Sequence, residues 1–223
     1  MKAIDLIIFD MDGTIFDTER LGIQKWMQAF KEMGIVVPEQ VLYSKIGLGS
    51  KDSKEFMQKE SGVSFDYDAV KRLKKELTLS HIKEYGTPVK EGFAELSEYI
   101  KSNNISIALA TSRSRANTEI YLRHAGQGFR NNFNLIITGD MVERGKPNPD
   151  IFLLAAKKLN VQAQATIVIE DSINGIKAAV AAQMRAIMIP DLVEPSIEIE
   201  NAVFAIKRSL REVISLIDSL ITG

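Results

Sequence analysis

The chain contains no cysteine. Disulfides, thiolate metal ligands and cysteine nucleophiles are therefore excluded. An excess of one charge is also missing, since 28 basic residues against 29 acidic ones leave a formal net charge of −1. This balance gives no electrostatic case for nucleic acid or an anionic membrane as a partner. No apolar run approaches the length that spans a bilayer. The first apolar stretch carries Asp5 within it and no small-residue cleavage pattern after it, which argues against a signal peptide. The expected location is the cytoplasm. Internal repeats, low-complexity segments and heptad seams are absent too, so a monomer is the default expectation. His81 and His124 are the only histidines, and both lie on predicted amphipathic helices and read as structural.

What is present is an ordinary apolar fraction of 45% over 223 residues, enough for one large domain or two modest ones. From Ile105 onward short apolar runs alternate with helical patterns. ISIALA (Ile105–Ala110) precedes TSRSRANTEIYL, and LIIT (Leu135–Thr138) precedes DIFLLAAKKL. ATIVIE (Ala165–Glu170) precedes DSINGIKAAVAA, and AIMI (Ala186–Ile189) follows. Near-continuous apolar strands separated by helices predict βαβ units and a parallel sheet covered on both faces. Ile4–Phe9 has the same character and joins that sheet, and SLREVISLIDSLI reads as a closing helix. Between Thr18 and Tyr85 the pattern changes to amphipathic helices, with Val70, Leu73 and Leu77 on one face and Trp26 and Phe30 as a packing pair. Gly86, Thr87 and Pro88 then punctuate the chain. The expected organisation is a doubly wound α/β core, residues 1–16 and 89–223, with an α-helical insertion at 17–88.

The polar clusters fall at strand ends. Asp10 and Asp12 follow the first strand, and Thr111 and Ser112 follow the second. Lys146 lies in the loop after LIIT, and Glu170 and Asp171 end ATIVIE. In an open parallel sheet the carboxyl ends share one edge, where ligands bind at a switch in strand order. Four carboxylates close together repel one another, so a cation is expected among them. Asp10, Asp12, Glu170 and Asp171 make an oxygen-rich set suited to Mg²⁺ when a phosphate completes its shell. A hydroxyl at Thr111, main-chain N–H groups opening a helix and the Lys146 ammonium suit phosphate oxygens. One aspartate then serves to attack phosphorus and another to move the proton.

DMDGT, TS, GKPNPDIF and IEDSINGI resemble, in order, the four motifs of the haloacid dehalogenase superfamily. The likeness is to its helical-cap phosphatases, the branch that includes β-phosphoglucomutase and sugar phosphatases. It implies a Rossmann-like core with the cap between its first strand and the rest, and a Mg²⁺-dependent phosphatase of small phosphorylated metabolites, sugar phosphates above all. Asp10 would be the nucleophile that becomes an aspartyl phosphate and Asp12 the general acid and base. Thr111, Ser112, Arg113 and Lys146 would bind phosphate and substrate. Asp10, the Asp12 carbonyl and Asp171 would hold the metal, with Glu170 direct or through water. Dehalogenases of the superfamily lack the second aspartate, so Asp12 implies phosphoryl transfer.

Other readings are weaker. DMDGT is not a calcium loop, because a strand precedes it and Gly13 stands fourth. GDMVERGK (Gly139–Lys146) has five residues between its glycines and a proline where a P-loop needs Ser or Thr. GLGSKD (Gly47–Asp52) reads as a cap loop, and Lys45, Lys51 and Lys54 are possible substrate contacts. The alternative enzyme is a hexose phosphate mutase of the β-phosphoglucomutase type. Such mutases carry a histidine ten residues beyond the acid/base aspartate, and that count from Asp12 reaches Gly22. A binding protein that keeps the fold without turnover would have lost Asp10 or Asp12, and both are present.

Overall fold

Six apolar segments form one parallel sheet. They are β1 (Leu6–Phe9), β2 (Ser106–Thr111), β3 (Leu135–Thr138), β4 (Thr166–Glu170), β5 (Arg185–Met188) and β6 (Ala205–Ile206). Their order is β3-β2-β1-β4-β5-β6. The computed structural model describes residues 4–46 and 50–222. The expected loop at Gly47–Gly49 and the Lys51 side chain lie outside the described residues.

Helices occupy the intervals: α1 (Thr18–Glu32), α2 (Glu39–Ser44), α3 (Ser50–Glu60), α4 (Tyr67–Tyr85), α5 (Phe93–Ser102), α6 (Arg115–His124), α7 (Asp150–Leu159), α8 (Ile173–Ala181), α9 (Ile197–Ala202) and α10 (Leu210–Thr222). The sheet is α/β and doubly wound, as its sequence pattern predicts. Alternate residues of each strand face opposite ways. Leu6, Ile8, Ala108, Ala110 and Val168 share a core with Ile151, Phe152 and Ala155 of α7 and Ile176 and Ala179 of α8. The other parity is just as buried, with Ile7, Phe9, Ile107 and Leu109 all fully enclosed. There Phe93 of α5 meets Phe9 edge-on, at 5.6 Å between ring centres. α10 packs beside α5. Each such large apolar side chain contributes about 1.5–3 kcal/mol by leaving water, which is why strands buried on both faces read as unbroken apolar runs.

The chain divides into two units, Met1–Asp17 with Pro88–Gly223, and Thr18–Thr87. In the first unit the two segments that lead to the insertion lie side by side. The Asp17 N–H donates to the Pro88 carbonyl (2.9 Å) and the Lys90 N–H to the Ile15 carbonyl (2.8 Å). The Thr18–Thr87 unit is helical. α1 packs on α4, and Trp26 stacks on Phe30 at 5.7 Å and lies 5.6 Å from Tyr67. Asp66 caps α4 by accepting from the Ala69 N–H, 3.0 Å. In α4 Val70 is fully buried, whereas Leu73 and Leu77 are only half-buried. Lys54 pairs with Asp68 at 2.6 Å, and Lys45 lies with its ammonium 5.2 Å from the centre of the Trp26 ring.

Candidate active site

β1 lies between β2 and β4 with matched register, Phe9 beside Leu109 and Ile169. From β1 the chain order runs outward through β2 and β3, then returns to β4 on β1's other side. The crevice at the carboxyl ends is therefore a switch point, and all four motif-bearing strands are contiguous around it. Asp10 leaves β1 with its N–H donating to the Ile169 carbonyl, 3.0 Å, so its backbone is fixed against β4.

Lys146 ties three of these ends together. Its ammonium donates to Asp10 Oδ1, to Glu170 Oε1 at 2.7 Å and to the Ala110 carbonyl at 3.1 Å, which uses all three of its hydrogens. It is almost completely buried and sits 4.9 Å from the centre of the Phe152 ring. Burial works against that charge, but the attraction of Asp10 and Glu170 outweighs it and raises the Lys146 pKa above the ordinary lysine value. The Asp10 carboxyl responds oppositely. Burial pushes it up to about 7, against the pull of Lys146 and with Glu170 and Asp12 adding to the rise. The cation expected among the carboxylates is Mg²⁺; Lys146, expected to serve phosphate, also places a positive charge between Asp10 and Glu170.

Glu170, expected to meet the metal directly or through water, has donors from its own chain on both oxygens. Its Oε1 takes Lys146, and its Oε2 accepts from both the Ser172 N–H (2.8 Å) and the Ser172 hydroxyl (2.9 Å). Ser172 is also the N-cap of α8, accepting from the Gly175 N–H at 3.0 Å. Ser172 takes this cap because its backbone is extended, as an N-cap requires. A Cβ at Gly175 would collide with the Glu170 carboxylate. Gly175→Ala is expected to displace Glu170 and destabilise the fold by about 2 kcal/mol, net of the ~1 kcal/mol that alanine gains in a helix. Urea unfolding measures it, and an unchanged or raised midpoint would show that Glu170 is not held this way.

Asp171 lies against the turn after β1. Its Oδ1 accepts from the Thr14 hydroxyl at 3.0 Å, and a Cβ at Gly13 would collide with its carboxylate. Gly13 also has φ +74°, a left-handed conformation suited to glycine. The missing side chain is thus what admits Asp171 to the loop carrying Asp10 and Asp12. Among the described residues no three His, Cys, Asp or Glu side chains are grouped as a metal site. Asp171 thus reaches the loop that carries Asp10 and Asp12, and carboxylate and carbonyl oxygens are the hard donors that suit Mg²⁺.

Thr111 ends β2 beside Thr138 and is buried, and its Oγ1 accepts from the Arg113 N–H at 3.2 Å. Ser112 is exposed, with its carbonyl packed on Gly139. Arg113 has a partner that the sequence did not suggest. Its Nε and Nη2 donate to the two oxygens of Asp12, at 2.6 and 2.7 Å. Sequence reasoning also missed Thr14, Ser172, Gly13 and Gly175, although the glycines inside DMDGT and DSINGI are a sign of close approach.

Residues 7–189 match the haloacid dehalogenase-like hydrolase family, and the chain belongs to it. Protein CbbY of Cereibacter sphaeroides is 31% identical over 195 residues, covering 84% of each chain. The fructose-1-phosphate phosphatase YqaB of Escherichia coli is 31% identical over 183 residues, covering 81% of this chain and 94% of its own. Among solved structures, CbbY from Rhodobacter sphaeroides in complex with phosphate superposes with a TM-score of 0.74 at 28% identity, covering 94% of this chain and 96% of that one.

Proposed function

We propose that this protein is a Mg²⁺-dependent phosphatase of small phosphorylated metabolites, sugar phosphates in particular, working through an aspartyl phosphate on Asp10. The observation that carries the reading is the buried Asp10–Lys146–Glu170 cluster at the switch point, with Asp12 two residues away. Support for the substrate class comes from relatives named as phosphatases of phosphorylated carbohydrates, from Thermotoga maritima, and of fructose 1-phosphate.

In this mechanism an Asp10 oxygen attacks phosphorus and the bond from phosphorus to the sugar oxygen breaks. Asp12 gives its proton to the departing alkoxide. Water then attacks the aspartyl phosphate, Asp12 accepts the proton, and inorganic phosphate leaves with Asp10 restored. Thr111 and the charge of Lys146 serve the phosphoryl oxygens. Mg²⁺ would be held by Asp10, Asp171 and the Asp12 carbonyl, and when bound it supplies positive charge to the transferring group. Lys146 keeps Asp10 aimed, while Glu170 keeps Lys146 in place. The helical unit is assigned the role of cap, residues Thr18–Thr87, which selects substrate and excludes water.

The mutase reading is not favoured. Position 22 is glycine on α1, and the Lys74 ammonium lies 3.6 Å from where a Cβ there would stand. The test is phosphate release from an aryl phosphate and a panel of sugar phosphates, with Mg²⁺ and with chelator. Metal-dependent release is expected, falling by at least about a hundredfold in chelator. Incubation with β-glucose 1-phosphate and a bisphosphate activator is expected to give free phosphate rather than glucose 6-phosphate. Absence of turnover on every ester in excess Mg²⁺ would overturn the proposal.

A further inference from the structure

The sequence motif places Arg113 two residues past Thr111, where a basic side chain invites the phosphate. The geometry assigns it elsewhere: we propose that Arg113 is a positioning residue for Asp12, not a ligand of the phosphoryl group. The inference rests on the role given to Asp12 above and extends it to the residue that holds Asp12 in place.

Two features build this arrangement. First, the stem of Arg113 is anchored at both ends of its peptide, by its N–H on Thr111 Oγ1 at 3.2 Å and by its carbonyl accepting from the Gly139 N–H at 2.8 Å. The close packing of Gly139 on the Ser112 carbonyl leaves that segment little room to shift. Secondly, the guanidinium lies over the ring of Tyr121 on α6, its central carbon 4.1 Å from the ring centre. Tyr121 is itself buried, so the platform is rigid. A flat cation seated on an aromatic face presents its N–H edge in one plane, and that edge meets both oxygens of Asp12.

The consequence is orientation. An aspartate on a turn has two free side-chain torsions, and a paired fork removes that freedom because both oxygens are fixed at once. Both Asp12 oxygens accept in the fork, so one of them must leave Arg113 to carry a proton to the departing oxygen, while the other stays held and sets its direction. Lysine could supply the charge at position 113 but neither the fork nor the stack.

The test separates an acid's helper from a phosphate ligand by the leaving group. A sugar alkoxide departs poorly without a proton, whereas a nitrophenolate departs well unaided. In Arg113→Met, kcat/KM for a sugar phosphate is expected to fall by at least about thirtyfold, the scale of a positioned general acid, and that for p-nitrophenyl phosphate by about threefold or less. Arg113→Lys should show the same selective loss, and Asp12→Asn/Arg113→Met should lose no more on the sugar phosphate than Asp12→Asn alone. Inorganic phosphate, measured calorimetrically on the Mg²⁺-loaded protein, should bind both Arg113 variants within about threefold of the parent. Equal losses on both esters, additivity with Asp12→Asn, or phosphate binding weakened tenfold or more would overturn the inference and return Arg113 to the phosphate. A parent protein inert on both esters would instead remove the hydrolase reading on which the inference stands. Thermal melting of each variant identifies one that fails to fold, and the other then decides.

Discussion

Asp10→Asn is expected to lower phosphate-ester turnover at least about a thousandfold while leaving the protein as stable as before, to within about 1 kcal/mol. The loss follows from chemistry: an amide oxygen cannot attack phosphorus as a carboxylate does. The retained stability follows from counting charge in the buried cluster. As it stands, one ammonium serves two carboxylates, Asp10 and Glu170. Burial is the largest influence on Asp10 and disfavours its charged form. An asparagine has the same shape, keeps an oxygen for Lys146 to donate to, and leaves that ammonium balanced against Glu170. The lost attraction is offset by the relieved burial of a second negative charge. Steady-state kinetics on the best ester and chemical unfolding of the same preparation check both halves. Substantial residual turnover sinks Asp10 as the nucleophile. Collapse of the fold would instead mean that its charge is structural.

Much of the core was legible because two simple rules act on it. A strand buried on both faces must be apolar throughout, and a parallel sheet gathers its carboxyl ends on one edge. These rules are enough to bring Asp10, Thr111 and Glu170 together from segments far apart in the chain. α2 and β6 were not legible, being too short at six and two residues for a periodic pattern to emerge. Pairing inside the site was harder still. Four carboxylates and two cations can be matched in several ways, and which match occurs depends on the position of a side chain's far end. Lys146 selects Asp10 and Glu170, whereas Arg113 selects Asp12 because Tyr121 sets its plane. Ser172 and Asp171 both suit a helix cap by residue type, and only the backbone at 172 decides between them.

Lys146→Met is expected to be the most damaging single change in the core, lowering stability by about 3–5 kcal/mol and removing activity with it. The same charge count explains the contrast with Asp10→Asn. Loss of the ammonium leaves Asp10 and Glu170 facing each other in a site where both are buried, with no cation between them. Methionine fills most of the volume and packs on Phe152, so the deficit reports charge rather than a cavity. The Ala110 carbonyl also loses its donor from this side chain. For a chain of this size the deficit corresponds to a fall of about 10 °C in melting temperature. The measurement belongs in chelator, so that no added cation replaces the ammonium. A second substitution then isolates the cause. Glu170→Gln in the Lys146→Met background removes one of the two stranded charges while its Oε oxygen still accepts from Ser172. It should recover about half of the lost stability without recovering turnover, whereas Glu170→Gln alone should weaken the parent. If the double variant is no more stable than Lys146→Met, the deficit does not come from the unpaired carboxylates. The cluster would then be held by packing around Phe152 instead.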